Sequence, residues 1–119
     1  MNWYLAKMVF RIISGDGKHT AQFDEQLRLI RAVNREDAFQ KGQTLGKCSE
    51  ELYFNNREQP VQWQFISVSE LYLLPELSDG TELYSRVEET EDAMGYLKFI
   101  YAKAGLIRFG SPAEILKTA

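Results

Sequence analysis

Between Trp3 and Ile13 the even positions Tyr4, Ala6, Met8, Phe10 and Ile12 are all apolar, whereas the odd positions mix Trp3, Leu5, Val9 and Ile13 with Lys7 and Arg11. Segregation at period two, with aromatic and β-branched residues, predicts a strand with one fully buried face. Ser14-Gly15-Asp16-Gly17-Lys18 is a turn cluster, since glycine supplies the positive φ that tight loops require. A second strand is expected from about Thr20 to Val33, with Phe23, Leu27 and Leu29 alternating with Asp24, Gln26 and Arg28. Ile30 breaks that phase, which implies either a bulge or a strand whose other face becomes covered. The two strands read as one long hairpin.

At Asn34 the period changes. Asn34 is a good N-cap, and Glu36 and Asp37 place negative charge where the helix dipole favours it. Ala38, Gly42, Leu45, Cys48 and Leu52 recur at spacings of three and four, which predicts a helix ending near Tyr53. Gly42 costs about 1 kcal/mol of helix propensity against alanine, and its spacing from Gly46 reads as close packing on the sheet. A third strand is expected from Val61 to Leu74, ended by Pro75. Asp79-Gly80 is a hairpin-turn dipeptide, and a fourth strand is expected from Glu82 to Glu88.

The order β-β-α-β-β predicts an α+β fold: a four-stranded antiparallel sheet from two β-hairpins, with one helix packed on it. Thr90 is expected to cap a helix that runs through Ala104, with Gly105 as its stop. Ser111-Pro112-Ala113-Glu114 is a capping box that predicts a short terminal helix. The expected organisation is thus a ββαββ domain over residues 1–89. A helical C-terminal extension over 90–119 would pack on that domain or on a partner.

Composition narrows the function classes. The 119 residues are 45% hydrophobic and 26% charged, which suits one globular domain able to build a core without metal or disulfide. Fourteen basic against seventeen acidic residues give a net charge of −3, which offers no general attraction to nucleic acid or anionic membrane. One cysteine excludes an intramolecular disulfide framework and fits a reducing compartment. The start has no basic n-region, so no signal peptide is expected, and no apolar run approaches a membrane span. A cytoplasmic protein is the expectation.

No set of residues carries an evident catalytic or metal signature. Cys48 falls late in its helix at a core-phase position, so a buried structural thiol is expected. His19, the one histidine, reads as a solvated loop residue, and a single imidazole excludes a multi-histidine metal site within the chain. The acidic pairs Asp24-Glu25, Glu50-Glu51, Glu88-Glu89 and Glu91-Asp92 are sequence neighbours. Their side chains diverge on a strand or a helix, so they are poor catalytic pairs. Gly15-Asp16-Gly17 precedes a strand and not a helix N-terminus, which fails the context of a phosphate loop. No cofactor is expected.

The second face of the sheet is the most informative feature. Lys7 and Arg11 share it with Trp3, Leu5 and Val9, and Arg28, Arg31 and Arg86 add basic charge on other strands. Glu25, Glu70, Glu82 and Glu88 are available as cross-strand partners.

Trp3-Tyr4-Leu5-Ala6-Lys7, Val61-Gln62-Trp63-Gln64-Phe65-Ile66-Ser67-Val68 and Asp79-Gly80-Thr81-Glu82-Leu83-Tyr84-Ser85-Arg86 occur in this order. In order and separation they resemble a bacterial family of small domains of unknown function, number 4288 in its series. The resemblance covers roughly residues 3 to 88. It implies a stand-alone, non-secreted bacterial domain and brings no activity, cofactor or catalytic residue with it.

A non-catalytic protein-interaction or regulatory module is therefore expected, homodimeric through the sheet or the tail. The alternative is a binding protein or enzyme for an anionic small molecule, with a pocket between sheet and C-terminal extension. Its candidate ligand-binding residues are Arg86, Tyr84, Trp63, Arg11 and His19. A third class, an antagonist of a toxin or nuclease, would present the acidic stretch from Glu88 to Asp92.

Overall fold

A computed structural model of the protein describes residues 1–110. The elements are β1 (Asn2–Ser14), β2 (Gln22–Ala32), α1 (Arg35–Cys48), β3 (Glu51–Phe54), β4 (Pro60–Leu73) and α2 (Ala93–Phe109). The four strands form one antiparallel sheet in the order β2-β1-β4-β3, curled into a half-barrel with α1 on one face. The expected α+β architecture of two hairpins and a helix is present. The chain divides into two compact units, one of residues 1–84 and one beginning at Ser85.

The even positions of β1 supply the core. Tyr4, Ala6, Met8 and Phe10 are buried against α1 together with Ile30, Ala32, Ala38 and Val68. Phe10 also meets the Phe65 ring at 5.4 Å. β1 and β2 pair without interruption from Asn2 opposite Ala32 to Ile12 opposite Gln22. Ile30 therefore marks no bulge. It lies on the helix-covered face, in phase with Asp24, Gln26 and Arg28, so Phe23, Leu27 and Leu29 occupy the outer face.

Asn34 caps α1 as expected, its side chain accepting the Asp37 backbone N–H at 2.8 Å. Asp37 in turn accepts the Val33 N–H at 3.1 Å. The helix buries Ala38, Gly42 and Gly46, a row at a spacing of four. A Cβ on Gly42 would meet Val68 Cγ2 at 2.8 Å, and one on Gly46 would meet the Phe65 ring at 2.1 Å. These two glycines let the helix axis approach the sheet closely.

Two expectations are corrected in this half of the chain. The helix stops at Cys48, where the Ser49 N–H bonds to Leu45 O and its hydroxyl donates to the same carbonyl at 2.7 Å. Released from the helix, Leu52, Tyr53 and Phe54 pair as a strand with Pro60 to Gln62. Burial at Cys48 is also overturned, because the thiol is exposed at the helix end. The 38–42–46 row faces the sheet and turns residue 48 away from it.

The second hairpin is consequently β3–β4, with Asn55 to Gln59 as its loop. Asn55 Oδ1 accepts the N–H groups of Arg57 and Gln59. The Asp79-Gly80 turn forms, with Gly80 at φ +84° and the Thr81 N–H bonded to Ser78 O. Residues 82–88 are nevertheless not a strand. β4 is already flanked by β1 and β3, and its overhang beyond β3 is occupied by side chains of α1 and of the turn that follows it. Gln43 Oε1 accepts the Val68 N–H at 2.8 Å, and Glu50 Oε2 accepts the Phe65 N–H at 2.9 Å.

In the second unit, α2 is capped by Asp92, whose carboxylate accepts the Gly95 N–H at 2.9 Å, and not by Thr90. It runs through Gly105 to Phe109 with no buried residue. The expected capping box at Ser111 to Glu114 lies outside the described residues.

Candidate functional site

The outer face of the sheet is built from the odd positions of β1 with their neighbours on β2 and β4. Lys7 stands at its centre, opposite Leu27 on one side and Glu70 on the other. Its ammonium bonds Glu25 at 2.9 Å and Glu70 at 3.1 Å. The hydrogen bond to Glu25, then that to Glu70, raises the Lys7 pKa well above its ordinary value. Glu70 also accepts the Tyr72 hydroxyl. That bond, followed by the one from Lys7, holds the Glu70 pKa below its usual value and raises that of the phenol.

The arginines of this face stack on aromatic rings directly across from them. Arg11 lies 5.9 Å from the Phe23 ring centre, and Arg31 lies 5.5 Å from that of Trp3. Such contacts are worth about 0.5–1 kcal/mol at exposed sites. Arg28 is not on this face. It sits on the helix side, where Nε and Nη2 donate to Gln26 Oε1. Gln26 Nε2 then donates to Asp24 Oδ2, which also accepts the Trp63 indole N–H at 3.0 Å. This ladder of Asp24, Gln26 and Arg28 was hidden by the strand's apolar alternate positions, which suggested that the opposite face was the inner one. The ladder's period-two spacing was its only sequence signal.

The proposed ligand residues are distributed as follows. Trp63 lies on the helix face, stacked on Tyr53 at 6.0 Å, and Arg11 is on the outer face. Tyr84 packs edge-on against Tyr72 at 5.7 Å. His19 closes the β1–β2 loop, where Nε2 accepts the Ser14 N–H at 3.0 Å and Nδ1 faces Thr20 O at 2.8 Å. That geometry requires the proton on Nδ1 and occupies both ring nitrogens. Arg86 belongs to the second unit and pairs with Glu88. The four residues of the first unit thus occupy four separate settings. A groove of about 580 Å³ between α1 and β4 is lined instead by Arg35, Phe39, Ser69 and Leu71, among others. Among the described residues no three metal-binding side chains gather, and no helix is long and apolar enough to cross a membrane.

What the fold and this face define is a small α+β domain with a curled antiparallel sheet, a tightly seated helix and an outer face part ionic and part apolar. The chain belongs to the family described as "Domain of unknown function (DUF4288)", whose profile matches residues 3–85. No curated protein and no solved structure is significantly similar to it.

Proposed function

We propose that the chain is a non-catalytic protein-interaction module that works as a homodimer in the bacterial cytoplasm, where a lone thiol stays reduced. The observation that carries this reading is the apolar row on the outer face. Phe23, Leu27 and Leu29 are 55%, 50% and 48% exposed on one face of β2, with Glu25 standing between Phe23 and Leu27 and drawn to Lys7. Isolated apolar residues on a surface are ordinary, whereas three on one strand face, among charges that are already satisfied, support a contact surface. The charges around it are already paired or stacked, which leaves few free groups to hold an anion. In the second unit, α2 exposes Met94, Leu97, Phe99, Ile100 and Tyr101, a further apolar surface suited to protein contact.

The test is the mass of the full chain in solution by light scattering, for the parent and for Leu27→Glu with Leu29→Glu. A dimeric parent and a monomeric, normally folded variant support the reading. A parent that is monomeric at high micromolar concentration overturns it.

A further inference from the structure

The two edges of the sheet are protected very differently. On one side β3 is only four residues long, and the β4 overhang is capped by Gln43 and Glu50. On the other side β2 is an edge of eleven residues, Gln22–Ala32. It contains no proline, glycine or lysine, and it pairs with β1 without a bulge. Long, regular edges of this kind are normally blunted in monomeric proteins, because their unpaired backbone groups recruit another strand.

We propose that β2 is the dimerisation edge, and that two copies pair their β2 strands antiparallel about a two-fold axis through Gln26. This rests on the homodimer reading above and gives it a surface and a register. A two-fold axis normal to the sheet keeps each face on its own side, so it must pass through a residue opposite its own copy. Centred on Gln26, the pairing sets Asp24 opposite the partner's Arg28 and Phe23 opposite the partner's Leu29, each twice.

The charged groups are available for this. Asp24 Oδ1 and Arg28 Nη1 stand outside the bonds that Gln26 and Trp63 make to this ladder. Glu25 meets the partner's Leu27, but its carboxylate is drawn inward to Lys7. Neighbouring registers lack this match. Axes through Asp24, Glu25 or Arg28 place like charges opposite each other, which is destabilising. An axis through Leu27 sets Asp24 against the partner's apolar Ile30. At the end of the paired stretch Lys41 Nζ takes the Arg31 carbonyl at 2.8 Å, which closes the edge where the pairing about Gln26 runs out.

The experiment is a charge swap read by sedimentation equilibrium. Arg28→Asp sets two carboxylates against each other at both ends of the pairing and should raise the dimer dissociation constant about tenfold or more. Asp24→Arg combined with Arg28→Asp restores opposite charges and should recover the dimer. An independent reading uses Gln26→Cys in a Cys48→Ser background. Opposed residues of an antiparallel pair lie about 4.5–5.5 Å apart at Cα, within disulfide reach. Mild oxidation should therefore give a covalent dimer. Gln22→Cys should not, because the two copies of that residue are roughly 26 Å apart. A dimer that survives Arg28→Asp and does not cross-link at position 26 overturns the β2 edge while leaving the homodimer intact. A monomeric parent overturns both.

Discussion

Gly46 of α1 lies so close to Phe65 of β4 that a Cβ there would come within 2.4 Å of three ring carbons. The contact sets how near the helix rides to the sheet, because the ring is itself held against Phe10 in the core. Gly46→Ala must therefore push the helix outward or force the ring off its rotamer. That costs about 1–3 kcal/mol, offset in part by about 1 kcal/mol of helix propensity. Gly42→Ala meets the methyl ends of Val68 and Ile30 at 2.8 and 3.1 Å. These side chains yield more readily than a ring met face-on. Urea denaturation should rank both variants below the parent, with Gly46→Ala the less stable; the reverse order would contradict this packing.

Glu50 links the end of α1 to the unpaired stretch of β4, and its acid–base behaviour follows from that link. The Phe65 N–H first, then Lys47, holds its carboxyl below the ordinary value of 4.5. A lowered folded pKa means that the unfolded chain binds protons more readily. The stabilisation is therefore complete above the unfolded value and is lost as pH falls through the folded one. Glu70, lowered in the same direction by Tyr72 and Lys7, adds to this. Glu50→Gln should be less stable than the parent near neutrality and should converge with it in acid. Unfolding midpoints measured across the acid range check this, and a constant gap between the two proteins would refute it.

Trp63 of β4 donates its indole N–H to Asp24 of β2 over the intervening β1, on the concave, helix-covered side of the curled sheet. A flat sheet would hold those strands about 10 Å apart. Asp24→Ala and Trp63→Phe should each destabilise the fold, and the double variant should fall short of their sum by about 1 kcal/mol. Strict additivity would show that the bond contributes nothing in solution.

Cys48 is exposed at the last turn of α1. One equivalent of thiol should react with a disulfide reagent under native conditions. Cys48→Ser should change stability by no more than about 0.5 kcal/mol. Slow labelling that waits on unfolding would contradict the placement.

The inner face of β1 was legible because five successive even positions are apolar, a pattern only a strand with one buried side explains. Asn34 was legible because capping is a local matter of one side chain and the N–H three residues on. The close glycine spacing also pointed correctly to a helix pressed against the sheet. The pattern carries the helix on to about Tyr53 because Leu52 continues the three-four spacing, and nothing local reveals that Val61 will lie beside Tyr53. The sequence suggests a strand over 82–88 because Asp79-Gly80 does make a turn. A turn does not supply a free edge for the next segment to join. Of the proposed ligand residues, Trp63, Arg11, His19 and Tyr84 share suitable chemistry but occupy different settings, since residue type carries no direction across a sheet.

The sequence by itself determined the α+β class, the long first hairpin, the capped helix and the family, because each follows from short-range periodicity, capping or a linear motif. Only the tertiary structure decided the strand order, the partner of β4 and the face taken by Phe23, Leu27 and Leu29. Alternation along a strand separates two sets of side chains without saying which will be covered. That depends on where α1 settles, and α1 settles where Gly42 and Gly46 meet Val68 and Phe65.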